Sequence, residues 1–112
     1  MDMEKMAACF AELGHPTRLK IFHYLVKNGF KGVPVGELQS TLDIPSSTLS
    51  HHLTKLINVG LVKQRREGKT LFCTPELEEL YHVLSFLIDE CCRDDDDVTD
   101  DLKQKLLKQF KS

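Results

Sequence analysis

Between Val35 and Val59 the chain carries two stretches of helical apolar spacing, roughly 35–42 and 46–59, separated only by Asp43, Ile44 and Pro45. A helix, a tight turn and a second helix is the helix-turn-helix arrangement. The second helix has two unlike sides. Leu49, Leu53, Leu56 and Ile57 share a core-facing side, while Ser47, Thr48, His51 and Lys55 lie near the other. His52 falls closer to the buried side, where a packing histidine is as good a reading as a base or metal contact.

The flanking segments extend the pattern. "EKMAACFAEL" repeats Met6, Ala7, Cys9, Phe10 and Leu13 at helical spacing and ends at Gly14. "HPTRLKIFHYLVKNG" begins a second helix with Pro16 in the first turn, aligns Leu19, Phe22, Leu25 and Val26, and stops at Gly29. After Gly60 the helical period is lost: Leu61 and Val62, a polar tip from Arg66 to Lys69, then Leu71 and Cys73 on one face with Phe72 opposite predict two strands joined around Glu67 and Gly68. From Pro75 to about Cys92 a wide apolar face through Leu77, Leu80, Tyr81, Leu84, Leu87, Ile88 and Cys91 predicts a long helix needing cover on more than one side. Asp94–Asp97 reads as a solvated break, followed by a short amphipathic segment, 98–110, with Leu102, Leu106, Leu107 and Phe110 on one face. The expected fold is mainly α with a small β-hairpin, a winged helix-turn-helix. The expected division is a DNA-binding and dimerisation domain over 1–93 and an acidic linker with a C-terminal segment over 94–112.

A chain of 112 residues suits one domain, and a core of that size gains from burying further surface in a dimer. No run of eighteen apolar residues and no secretion leader is present, so the expected setting is cytoplasmic, with Cys9, Cys73, Cys91 and Cys92 as free thiols. The net charge of -2 hides an asymmetry. Residues 1–74 hold ten Lys and Arg against six Asp and Glu, whereas residues 75–112 hold five against eleven. The first part suits a polyanion, because neutralising phosphates releases counterions. Catalysis has no residues to name: no Gly-rich phosphate loop, no His-Glu-x-x-His, no Cys-x-x-Cys and no serine in a nucleophile elbow.

DNA reading can be argued from the residues alone. In a helix-turn-helix the start of the second helix enters the major groove, where hydroxyls, imidazoles and amines meet base edges and phosphates. Here that region offers Ser46, Ser47, Thr48, Ser50, His51 and Lys55. On or beside the wing, Lys63, Arg65, Arg66 and Lys69 are placed to reach phosphates or the minor groove. Each set has a plainer explanation, a solvated helix face and an edge strand kept soluble by charge. The double-helical unit, the wing and the charge asymmetry together favour double-stranded operator DNA. A two-fold dimer then expects a near-palindromic site with half-sites about one helical turn, or a multiple of it, apart.

"LGHPTRLKIFHYL", "STLSHHLTKLINVGLVKQRREGK" and the long helix after the wing, spanning residues 5–93 in order, resemble the ArsR/SmtB family of winged helix-turn-helix regulators. The resemblance implies a homodimeric repressor whose first and last helices form the dimer interface and whose inducer, often a metal or metalloid ion, weakens operator binding. The family's thiol motif before the recognition helix matches "VGELQSTL" here, which has no cysteine. Its zinc site on the last helix matches a segment where His82 stands among Glu76, Glu79, Asp89 and Glu90 without the paired histidine-acid pattern. An arsenic-responsive branch carries adjacent thiols at the end of the last helix, as Cys91 and Cys92 do. The resemblance therefore implies arsenite or antimonite as inducer, with the third thiol of that branch replaced by Asp94–Asp97 and Cys9 the candidate third ligand. Cys73 is the fallback third ligand, although its place on a wing strand favours a packing role. Two adjacent helical residues point about 100° apart, so both thiols share an ion only where the helix ends. Other readings are a different thiol-linked signal, such as a soft metal, a persulfide or an oxidant, and a protein-interaction or dimerisation module using the same fold without sensing.

Overall fold

The computed structural model describes residues 2–89 and, beyond them, Gln104, Lys105 and Lys108. The elements run α1 (Met3–Leu13), α2 (Pro16–Asn28), β1 (Val33–Pro34), α3 (Val35–Leu42), α4 (Ser46–Asn58), β2 (Val62–Glu67), β3 (Thr70–Pro75) and α5 (Leu77–Asp89). Local chemistry sets the ends. The Asp2 carboxylate accepts from the Lys5 N–H at 2.8 Å and caps α1, and the His15 imidazole does the same for the Thr17 N–H at 3.2 Å, with Pro16 in the first turn of α2.

The helices bury one face each into a common core. Met6 and Cys9 of α1, Ile21, Phe22 and Leu25 of α2, Leu38 of α3 and Leu49, Leu53 and Leu56 of α4 pack with Val83 of α5. Filling that core with one Leu side chain is worth about 1.5–3 kcal/mol relative to leaving it in water. The sheet adds its inner face through Leu61 at the strand entrance, Val62 and Cys73.

The sheet is antiparallel, in the order β1-β3-β2. The hairpin is the expected wing: Val62 pairs with Pro75 and Glu67 with Thr70, leaving Gly68 and Lys69 as the turn. Gly68 has φ +63 at the first turn position, where a II′ hairpin takes glycine. Two features depart from the sequence expectation. The edge strand β1 pairs Val33 with Cys73 and Pro34 with Phe72, and two residues, one of them proline, carry no propensity signal of their own. Pro75 ends β3 instead of opening the last helix, because a strand terminus tolerates its missing N–H and Val62 lies opposite it.

The boundary expected at residue 93 and all but three residues of 94–112 lie outside the described residues. Gln104, Lys105 and Lys108 are helical and exposed. No helix among the described residues is long and apolar enough to cross a membrane.

Candidate nucleic-acid interface

The turn between α3 and α4 is made by one left-handed residue. Asp43 has φ 53 and ψ 52, a conformation that Asp tolerates better than most side chains. The Asp43 and Ile44 N–H groups both donate to the Gln39 carbonyl, the latter at 3.1 Å, and Ile44 drops into the core. Pro45 then opens α4, its carbonyl accepting from the Leu49 N–H at 2.9 Å. No side chain caps α4, which leaves the positive end of its dipole open to an anion.

Leu49, His52, Leu53 and Leu56 pin α4 to the core, so its opposite side faces outward. Ser46, Ser47, Thr48, Ser50 and His51 are exposed and Lys55 is half-buried. The fold thus brings six of the expected residues to one surface. It adds Thr54, exposed, three residues after His51 and seven after Ser47; its hydroxyl donates to the Ser50 carbonyl at 2.9 Å and keeps lone pairs to accept with. Sequence reasoning missed Thr54, although its helical spacing from Ser47 and His51 is the signal that finds it.

His52 is buried to 7% exposure, the packing alternative for this residue. Its ring lies 4.7 Å from that of His15 and 5.7 Å from that of His51, and Nδ1 is 3.2 Å from Nη1 of Arg18. Burial above all, then the neighbouring His15 and Arg18, pushes its pKa below the usual histidine value.

The four wing cations divide. Arg65 is engaged within the protein: Nε donates to the Glu67 carboxylate at 3.1 Å, Nη2 to the Lys31 carbonyl at 2.8 Å, and the guanidinium stacks 5.0 Å from the centre of the Phe72 ring. Lys63 pairs with Glu76 at 3.5 Å while remaining largely in solvent. Arg66 and Lys69 are exposed at the tip, carry no ion pair among the described residues, and border an open groove with Pro34, Val35 and Gly36 at the start of α3. The sequence showed four equivalent charges because contacts across 34 residues, such as Arg65 to Lys31, leave no local trace.

The candidate inducer ligands are far less complete. Cys91 and Cys92 lie outside the described residues. Cys9 is fully buried on α1, its Sγ 3.5 Å from the Val59 carbonyl, and burial followed by the Glu79 charge raises its pKa. Cys73 is also fully buried, accepts from Gln64 Nε2 at 3.5 Å, and is raised by burial. His82 Nε2 stands 3.9 Å from Glu78 Oε1 on the exposed side of α5. Among the described residues no three His, Cys, Asp or Glu side chains converge to hold a metal ion.

Residues 13–65 match the family described as a helix-turn-helix domain. The transcriptional activator HlyU of Vibrio cholerae is 34% identical over 90 residues, covering 77% of this chain and 81% of HlyU. The transcriptional repressor PagR of Bacillus anthracis is 31% identical over 88 residues, covering 76% and 86%. A solved structure of HlyU superposes with a TM-score of 0.63 at 33% identity, over 78% of this chain and 97% of that one, and one of reduced HlyU with 0.61 at 32%, over 80% and 90%. The homodimeric winged helix-turn-helix domain of Mb0332 from Mycobacterium bovis, described as a possible ArsR-family regulator, shares the fold with a TM-score of 0.64 at 23% identity, over 79% and 82%.

This chain belongs to the ArsR family of winged helix-turn-helix transcriptional regulators. Within that ArsR architecture α4 is the recognition helix and β2 and β3 form the wing. The exposed hydroxyls and imidazole of α4 occupy the position from which such a helix reads base edges.

Proposed function

We propose that this ArsR-family chain acts in the cytoplasm as a homodimeric repressor of near-palindromic operator DNA, with Ser46, Ser47, Thr48, Ser50, His51 and Lys55 in the major groove and the wing tip on phosphates. The single observation that carries the reading is the outward polar face of α4, where Ser46, Ser47, Thr48, Ser50 and His51 are exposed; the wing tip adds Arg66 and Lys69, two exposed cations without an ion-pair partner among the described residues. Support for the dimer comes from apolar side chains left in solvent on α1 and α5: Met3, Phe10, Tyr81, Phe86 and Leu87. The Lys5–Glu79 ion pair, 3.1 Å, holds these two helices side by side. Repression is carried over from PagR, whereas HlyU is an activator, so reporter expression decides the sign. A duplex selected by the protein from a random-sequence pool tests the whole reading. Binding should be salt-dependent and fall on Ser47→Ala/His51→Ala; an unselective pool after repeated rounds would refute it.

The inducer proposed is arsenite or antimonite, bound by thiolates of Cys91, Cys92 and, as third ligand, Cys9. The adjacency of Cys91 and Cys92 in the sequence supports it, and the soft metalloid suits thiolates. The burial of Cys9 sets a condition, since its sulfur has to leave the Val59 carbonyl to join such a site. A thiol-linked oxidant or persulfide is the second reading, favoured by the HlyU relative having been solved as its reduced form. Release of the selected duplex by arsenite, compared across Cys91→Ser, Cys92→Ser and Cys9→Ser, separates them. Release that survives loss of the pair removes the arsenite site, and release by peroxide or polysulfide alone selects the second reading.

A further inference from the structure

We propose that Arg18 is a positioning residue for DNA recognition, bracing the middle of the recognition helix, through His52, against the end of α1. The inference rests on the DNA-binding reading of α4.

The geometry is a three-helix tie. Arg18 Nε donates to the Glu12 carbonyl at 2.7 Å and lies 3.1 Å from the Glu12 carboxylate, so the first turn of α2 is locked to the last turn of α1. That carboxylate oxygen is buried and makes no hydrogen bond among the described residues; the guanidinium answers it as an ion pair. Arg18 Nη1 then reaches His52 Nδ1 at 3.2 Å. A guanidinium only donates, so Nδ1 accepts and His52 is the neutral tautomer with its proton on Nε2. The arginine side chain is 11% exposed, which leaves it little surface to offer a phosphate. Its charge acts inside the protein.

His52 sits between Leu49 and Leu56 on the buried side of α4, one residue from His51 on the outward side. The brace therefore fixes the rotation of α4 about its own axis, which sets how Ser47, His51 and Lys55 meet the groove. The surroundings of His52 make the tie dependent on its neutrality: His15 at the cap of α2, Arg18 in its first turn, and His51 and Lys55 from α4 all oppose a positive charge on it, and Glu12 of α1 reaches it only through Arg18. Protonated His52 would oppose the guanidinium.

The test uses the full chain and the duplex it selects from a random-sequence pool. Arg18→Gln and His52→Leu should each weaken binding about tenfold, the loss of one hydrogen bond to a charged group, with the salt slope unchanged because the phosphates remain neutralised as before. His52→Asn, which puts an oxygen near the place of Nδ1, should restore most of the affinity. On acidification the wild type should lose affinity relative to His52→Asn, whereas any gain from His15 and His51 is common to both. A salt slope lowered by about 0.9 in Arg18→Gln would make Arg18 a phosphate ligand and overturn the brace. So would affinity within twofold of wild type. Should Arg18→Gln unfold in a thermal melt, the two His52 variants decide: equal affinity for Leu and Asn rejects the proposal. Failure of the wild type to select any duplex would instead sink the DNA-binding reading, and the brace with it.

Discussion

Arg65 lies over Phe72, 5.0 Å from the ring centre, and Phe72 is its direct cross-strand partner in the wing. The same guanidinium crosses to the Lys31 carbonyl in the turn before β1. A strongly basic strand is thus tied to its own scaffold at mid-length, and the cations without an ion pair among the described residues, Arg66 and Lys69, stand at the tip.

That separation gives the first expected outcome. Arg66→Ala/Lys69→Ala should lower both affinity for a selected duplex and the dependence of log K on log salt, by about 0.9 in slope for each phosphate no longer neutralised. Arg65→Ala should leave the slope nearly unchanged while lowering the melting stability by about 1 kcal/mol, through removal of its stacking and hydrogen bonding. Fluorescence anisotropy across salt concentrations and a thermal melt read the two effects separately. A slope change confined to Arg65→Ala would reverse the assignment.

Gly32 serves the same anchor. Its φ is +101, and a Cβ there would stand 2.8 Å from Arg65 Nη1. Gly32→Ala should therefore destabilise the fold by about 1–3 kcal/mol through backbone strain and loosen Arg65 as well. A double-mutant cycle of Gly32→Ala with Arg65→Ala should be less than additive. Strict additivity in chemical denaturation would show the two to be independent.

Acid should weaken the folded chain through His52. Burial, with His15 and Arg18 close by, lowers its folded pKa beneath the ordinary 6.5. Between those two values the unfolded chain binds the extra proton, so stability rises with pH there and is lost as pH falls from about 6.5 through the folded pKa. Urea melts from pH 7.5 to 5 should show this loss in wild type and a smaller one in His52→Asn. Equal loss in both would place the acid sensitivity elsewhere.

Cys9 and Cys73 should resist alkylation in the native protein at pH 7.5 and react once it is unfolded. Both sulfurs are fully buried and both pKa values are raised, which leaves little thiolate at neutral pH. Mass spectrometry of iodoacetamide-treated protein reads each site. Prompt native labelling of Cys9 would mean that α1 opens readily, which is what its service as a metalloid ligand requires.

Much of this arrangement was legible because it is periodic. The spacing of Leu49, Leu53 and Leu56 placed the outward face of α4, and Gly68 between polar residues located the wing turn. Local patterns carry local structure. The bridge from Arg65 to Lys31 and the tie from Arg18 to His52 each join residues 34 apart, and nothing near either arginine in sequence distinguishes it from a solvated cation. β1 escaped for another reason: Val33 and Pro34 become a strand only because β3 lies open beside them. The proposed arsenite ligands Cys91 and Cys92 came from resemblance and chemistry, and they fall outside the described residues.

The left-handed turn at Asp43 bears on how the sequence can drift. Because the angle between α3 and α4 depends on one residue at positive φ, descendants of this chain can exchange position 43 freely only among aspartate, asparagine and glycine. The neighbouring outward positions of α4 have no such backbone limit. On the DNA-binding reading proposed above, a lineage can rewrite which bases it prefers at Ser47, Thr48 or His51 while this hinge stays nearly frozen, so new operators are reached through side chains on an unchanging frame.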